Sequence, residues 1–174
     1  MNIPKGYEEF VDSLKICSFD KENKRVLVND EEELVNFDKV VKDYAHCLGI
    51  NCPNSADALF LDDGDNWVLV EFKSGSINPK EILHKIYDSA IVLCEKNNST
   101  AEWLRRSVKF ILVCPKTESK DKNKASMENL FEKGTRNSSR QFTRYIYGKV
   151  QGYLYKETLE LTPEEFKEKY LSKR

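Results

Sequence analysis

Three charged residues stand at the ends of two apolar segments, where charged side chains are uncommon. Asp57 precedes the apolar run 58–61, and Glu71 and Lys73 close the run 67–73. Two carboxylates can hold Mg²⁺, which binds few protein ligands and keeps several waters. Such an ion lowers the pKa of a bound water and stabilises charge on a phosphoryl oxygen. A neighbouring lysine can orient the attacking water or offset charge in the transition state.

A predicted hairpin positions these residues. The segment 62–66, Asp-Asp-Gly-Asp-Asn, is typical of a turn between two strands. Alternation along a strand puts Glu71 and Lys73 on one face, and pairing of the two strands brings Asp57 beside them. A buried salt bridge and a pair of solvated strand ends remain as alternatives. Buried salt bridges contribute little net stability, so stability alone is a weak reason for this arrangement.

The rest of the chain predicts an α/β protein with a mixed central sheet, organised as a single domain over residues 1–174. Apolar spacing near 3.6 residues predicts helices, and continuous apolar runs predict buried strands. The predicted helices cover 7–16, 31–46, 79–96 and 126–133, with a last helix that begins at Thr162 in a capping box with Glu165. The predicted strands outside the hairpin cover 25–28, 108–114 and one or two segments within 142–155.

Asp57, thirteen intervening residues and the triplet Glu71-Phe72-Lys73 resemble the motif of the PD-(D/E)xK nuclease superfamily. The resemblance extends from about residue 31 to 114, and Ala56 stands where the family has a proline. It implies a restriction-endonuclease-like αβββαβ core with a mixed central sheet flanked by helices. It also implies dependence on Mg²⁺ or Mn²⁺ and hydrolysis of nucleic-acid phosphodiester bonds. DNA is favoured over RNA as the substrate. Asp57 and Glu71 match the two metal-binding acids, and Lys73 matches the catalytic lysine.

Many members of this superfamily add an acid from the preceding helix, and Glu33 is the candidate here. On a helix over 31–46, Glu33 lies roughly 50° from the centre of the apolar stripe and can point inward. The alternative is that Glu33 only stabilises the helix dipole from the first turn. Family helices after the lysine can also turn a polar residue towards the site. His84 and Lys85 occupy that helix, and an exposed helix face is the favoured interpretation for both.

The net charge of −1 is unevenly distributed. Residues 1–100 carry 11 Lys and Arg against 19 Asp and Glu, whereas residues 101–150 carry 12 against 5. A basic segment of this kind can follow a phosphate backbone, although a solvated lysine-rich loop is an equal alternative. The candidate phosphate-binding residues are Arg105, Arg106, Arg136, Arg140 and Arg144.

Several classes of protein are disfavoured. No apolar run approaches the roughly 18 residues of a membrane span, and no signal peptide is visible, so the expected location is the cytoplasm. The five cysteines include no Cys-x-x-Cys pair and are expected to be reduced thiols.

A nuclease of this size could serve defence, repair or mobile-element biology, and it could form a homodimer. The acidic first hundred residues keep a second hypothesis open, a non-catalytic nuclease-like fold that binds a protein as an immunity, antitoxin or scaffold module.

Overall fold

The computed structural model describes residues 1–21, 23–115 and 148–172, which contain a six-stranded mixed sheet with helices on both faces. A 3₁₀ helix (Glu8–Phe10) comes before the first strand. The strands are β1 (Val11–Ser13), β2 (Phe19–Asp20), β3 (Arg25–Val26), β4 (Glu33–Asn36), β5 (Ala58–Leu61), β6 (Trp67–Phe72), β7 (Val108–Val113) and β8 (Glu157–Leu161). The helices are α1 (Leu14–Cys17), α2 (Phe37–Leu48), α3 (Pro79–Lys96), α4 (Ala101–Ser107) and α5 (Pro163–Tyr170).

The central sheet has the strand order β1-β4-β5-β6-β7-β8, and β2 and β3 form a separate hairpin. The pairs from β1 to β6 are antiparallel, and the pairs β6–β7 and β7–β8 are parallel. The predicted α/β class with a mixed central sheet flanked by helices is therefore confirmed. The chain order differs from the expected αβββαβ core, because α2 lies between β4 and β5 instead of before three consecutive strands.

The two faces of the sheet carry two separate apolar cores. Leu59 and Leu69 pack on the face covered by α2 and α3. Phe60 and Val70 pack on the opposite face, which α1 and α5 cover. Because side chains alternate along a strand, Glu71 lies on the same face as Leu69, towards α2 and α3.

The helices that flank the sheet begin at side-chain caps. The Asn36 carboxamide accepts a hydrogen bond from the Lys39 N–H at the start of α2. Asn78 caps α3 in the same way, and Pro79 occupies its first turn, as the sequence predicts. The capping box of Thr162 and Glu165 at the start of α5 is also confirmed.

Two predicted helices differ from the structure, one over most of its length and the other at its beginning. Residues 7–16 form a 3₁₀ turn, the strand β1 and part of α1 instead of one helix. The helix predicted from residue 31 begins at Phe37, since residues 33–35 pair with β1 and residues 35–36 with β5. Pairing between distant strands outweighs a local helical period here, because it satisfies the backbone of residues buried between two neighbours.

The C-terminal third was predicted least well. The edge strand β8, residues 157–161, was not predicted. Of the segment 142–155, predicted to hold one or two strands, residues 142–147 lie outside the described residues. Residues 148–155 form a helical turn, a turn and an isolated bridge between Gln151 and Tyr155, so the prediction is wrong there. The helix predicted over 126–133 lies wholly outside the described residues. Among the described residues, no helix is long and apolar enough to cross a membrane.

Candidate active site

The register of β5 and β6 brings Asp57 and Glu71 together, as predicted. Ala58 pairs with Val70, so Asp57 lies opposite Glu71 at the next position along the hairpin. The Asp57 N–H donates to the Val70 carbonyl at 2.9 Å, which extends the pairing one residue beyond β5. One carboxylate oxygen of Asp57, Oδ2, accepts from the Phe72 N–H at 2.6 Å. This bond fixes the Asp57 side chain and leaves Oδ1 facing its charged neighbours.

Lys85 of α3 lies between the two carboxylates. Its Nζ donates to both Oε1 and Oε2 of Glu71 at 2.8 Å and lies 3.6 Å from Asp57 Oδ1. The Glu71 side chain is 1% exposed and the Lys85 side chain 16%. The orientation favoured from the sequence, with Lys85 on an exposed helix face, is therefore wrong.

Lys73 projects from the end of β6 on the same side as Glu71. Its N–H donates to the Val113 carbonyl of β7 at 2.9 Å, which holds the backbone beyond the strand end. The Lys73 ammonium donates to Glu81 Oε1 at 2.6 Å and lies 3.9 Å from Glu71 Oε1. Glu81 belongs to the first turn of α3 and is 40% exposed, so it holds Lys73 from the solvent side.

These charged side chains line an open cleft of about 220 Å³. Asp38, in the first turn of α2, also lines the cleft and accepts a hydrogen bond from the Ser55 hydroxyl. The β2–β3 hairpin contributes Lys21. The hairpin is attached to the loop after β6, since the Ser74 hydroxyl donates to Asp20 Oδ2 at 2.6 Å. The cleft therefore combines several acidic groups with a cationic group at its rim.

The loop that delivers Asp57 is held by α3. The Ala56 N–H donates to the buried Ser89 hydroxyl at 2.8 Å. The Asn54 backbone N–H and side-chain amide both donate to Asp88 Oδ2, at 3.0 and 2.9 Å. The same helix that supplies Lys85 and Glu81 thus also positions the strand entry of Asp57.

Burial dominates the electrostatics of the two carboxyl groups. Removal from water raises the pKa of Asp57 to about 6, against the opposing effects of Lys85 and the Phe72 N–H. Burial and the Asp57 charge raise the pKa of Glu71 well above its ordinary value. Ionisation of both carboxyl groups is unfavourable because they are buried side by side. A cation between them would stabilise their negative charges.

The two lysines, in contrast to the carboxyl groups, favour their charged forms. Burial alone would lower the pKa of Lys85, but the charges of Glu71 and Asp57 outweigh it and raise that pKa. Burial would also lower the pKa of Lys73, and its hydrogen bond to Glu81 raises it above the ordinary value. Both ammonium groups therefore remain charged at neutral pH.

Glu33, the predicted helix-borne acid, does not reach this site. It lies in β4 and pairs with Ser13 of β1. Asn36 pairs with Ala58 and Val35 with Leu59, so Glu33 lies towards the turn end of the hairpin, away from Asp57. The helical position assigned to Glu33 is wrong because α2 begins four residues later, and Asp38 is the first-turn acid that lines the cleft.

The predicted phosphate-binding arginines are not brought to the cleft where they are described. Arg105 and Arg106 lie on α4, just before Val108, which pairs with Trp67 at the beginning of β6. Glu71 lies at the other end of that strand, roughly 13 Å away at 3.3 Å per residue. Arg106 forms an ion pair with Glu102, and Arg105 donates to a backbone carbonyl. Arg136, Arg140 and Arg144 lie outside the described residues.

Lys21, Asp38 and Glu81 line the cleft and were not predicted from the sequence, whereas Lys85 was considered but assigned to an exposed helix face. Glu81, Lys85 and Ser89 recur every four residues beside the apolar stripe of α3. A polar stripe of that period marks one helix face, and this signal was present in the sequence. Asp38 was hidden because the start of α2 was misplaced.

No protein-family model, curated protein or solved structure matches this chain. Over residues 1–21, 23–115 and 148–172, no three His, Cys, Asp or Glu side chains are gathered as a metal centre. The described arrangement is instead a pair of carboxyl groups with Lys85 between them and Lys73 alongside.

Proposed function

We propose that this protein is a nuclease that uses Mg²⁺ or Mn²⁺ to hydrolyse phosphodiester bonds, in DNA rather than RNA. The observation that carries the proposal is the convergence of Asp57, Glu71 and Lys73 at one end of the β5–β6 hairpin, in an open cleft. The nucleic-acid substrate and the relation to the PD-(D/E)xK superfamily come from the motif that these three residues form.

The donor set suits a hard divalent cation. Asp57 Oδ1 and both oxygens of Glu71 face the same point, which the Lys85 ammonium marks. Oxygen ligands from one or two carboxylates, completed by water, are what Mg²⁺ prefers, and the cleft has room for those waters. A bound ion would lower the pKa of a water and neutralise charge on a phosphoryl oxygen.

The chain's own groups have distinct tasks in such a reaction. The Phe72 N–H holds Asp57 through Oδ2, which leaves Oδ1 directed at the position that the Lys85 ammonium occupies. Glu81 holds the Lys73 ammonium beside Glu71, where it can orient a water or offset charge on the reacting phosphate. Lys21 at the rim of the cleft is a further group that can contact a phosphate.

A cleavage panel tests the proposal. The purified protein is incubated with single-stranded DNA, duplex DNA, branched DNA and RNA, each with Mn²⁺, Mg²⁺ or EDTA. We expect metal-dependent cleavage that falls by at least roughly a hundredfold in Lys73→Ala. Lys80→Ala is the matched control, because Lys80 is exposed on the same segment. Equal cleavage by wild type and Lys73→Ala would refute the role assigned to Lys73.

A second function is favoured by one observation. The Lys85 ammonium group donates to both oxygens of Glu71, and an internal cation paired with this acid is expected in a nuclease-like fold that has become a protein-binding module. Absence of cleavage on every substrate, together with absence of Mn²⁺ binding, would support this alternative.

A further inference from the structure

We infer that Lys85 is a cation latch: its ammonium group occupies the divalent-cation position between Asp57 and Glu71, and metal binding requires Lys85 to leave. This inference rests on the proposed metal-dependent function and adds a competition between an internal ammonium group and the external ion. Because Lys85 belongs to α3, this helix would help to control whether a metal binds between the two carboxylates.

The contacts of Lys85 are those of a bound cation. Three carboxylate oxygens surround its Nζ, two from Glu71 at 2.8 Å and one from Asp57 at 3.6 Å. Both Glu71 oxygens are engaged, and the Glu71 side chain is almost fully buried. No described group other than Lys85 and Lys73 forms an ion pair with Glu71. A metal that enters without displacing Lys85 would meet its positive charge at contact distance, in a site of low dielectric.

Lys73 is not an equivalent group. Its ammonium lies 3.9 Å from Glu71 and has Glu81 as its close partner at 2.6 Å. Lys73 can therefore remain in place while a metal occupies the position between the carboxylates. Lys85, in contrast, has no such separate partner among the described residues and must take a new one.

The cleft contains a second acidic partner for the Lys85 ammonium group. Asp38 lines the same cleft, and its charge is one of those that favour the ammonium form of Lys85. A lysine carries its charge on a flexible four-carbon stem, so the ammonium group can change its acceptor by side-chain rotation. The negative charge that Lys85 leaves behind is then balanced by the metal.

Calorimetric titration with Mn²⁺ measures the competition without reference to cleavage. Wild type, Lys85→Met and Lys21→Met are compared at one pH and ionic strength. Lys21 also lines the cleft, so Lys21→Met removes the same charge from the same region without vacating the position between the acids. We expect Lys85→Met to bind Mn²⁺ at least about tenfold more tightly than wild type, and Lys21→Met to change affinity by less than about threefold.

A second measurement uses the wild-type protein and does not depend on the folding of a variant. Lysine amines are acetylated briefly with a water-soluble reagent, and the modified sites are quantified by mass spectrometry with and without Mn²⁺. We expect labelling of Lys85 to rise by at least about threefold with Mn²⁺, since its charge leaves a buried pair. Lys80, which is exposed in the same segment, serves as the internal reference.

The outcomes separate the latch from the function on which it rests. Equal or weaker Mn²⁺ binding by Lys85→Met, or Lys85 labelling that does not change when Mn²⁺ binds, overturns the latch and leaves the metal-dependent function standing. Absence of Mn²⁺ binding in all three proteins overturns both.

Discussion

Replacing Asp57 with asparagine should stabilise the metal-free protein at neutral pH. The Asp57 side chain is 19% exposed, and burial raises its pKa to about 6. The folded protein therefore keeps a proton on Asp57 at pH values where the unfolded chain has lost it. Stability falls as pH rises from about 4 to about 6, and the loss persists above that range. At about 1.4 kcal/mol per pKa unit, the full loss is about 3 kcal/mol.

The assay is urea unfolding in EDTA, followed by tryptophan fluorescence. The carboxamide of the Asp57→Asn variant cannot ionise, so the stability of this variant does not fall as position 57 passes through that pH range. We expect it to be more stable than wild type by about 3 kcal/mol at pH 8 and by about 1 kcal/mol at pH 4.5. Asp43→Asn is the control, because Asp43 forms a surface ion pair with Lys96 and its replacement should cost less than about 1 kcal/mol at either pH.

One result would refute this reasoning. If Asp57→Asn is less stable than wild type at pH 8 in EDTA, attraction to Lys85 outweighs the cost of burying the Asp57 charge. The pKa of Asp57 would then lie below its ordinary value. A gain that does not shrink towards pH 4.5 would show that the stabilisation has some cause other than ionisation.

Two further outcomes concern the groups that position the site. Glu81→Gln should reduce cleavage about tenfold and move the alkaline limb of the pH–rate profile to lower pH, because Lys73 loses the partner that raises its pKa. An unchanged profile would contradict the pairing of these two residues. Ser89→Ala should lower the free energy of unfolding by about 1–3 kcal/mol in urea titration, since it leaves the buried Ala56 N–H without its acceptor. A loss below about 0.5 kcal/mol would show that water replaces the hydroxyl.

The hairpin was predictable because its signals are local. A turn of Asp, Gly and Asn separates two apolar runs, and the two-residue alternation of strands then determines which side chains share a face. These rules put Asp57, Glu71 and Lys73 together, and the observed register agrees. The beginning of α3 and the capping box of α5 were predictable for the same reason, since caps involve residues only a few positions apart.

The failures all involve partners that are distant in sequence. Glu33 was assigned to a helix because residues 34–48 have a helical apolar period. It lies instead in a strand, since β1 and β5 pair with that segment. Strand pairing of this kind depends on the whole sheet, so no local window contains it.

Lys85 shows most clearly what the tertiary structure decided. The sequence by itself determined which residue types could hold a metal and that a hairpin would gather Asp57, Glu71 and Lys73. It did not determine that α3 would pack with Lys85 against those acids. A lysine is buried only where opposite charges compensate for the lost hydration, and here the compensating carboxylates come from the neighbouring hairpin. Only the packed fold therefore specifies whether that position holds an ammonium group or is free for a metal.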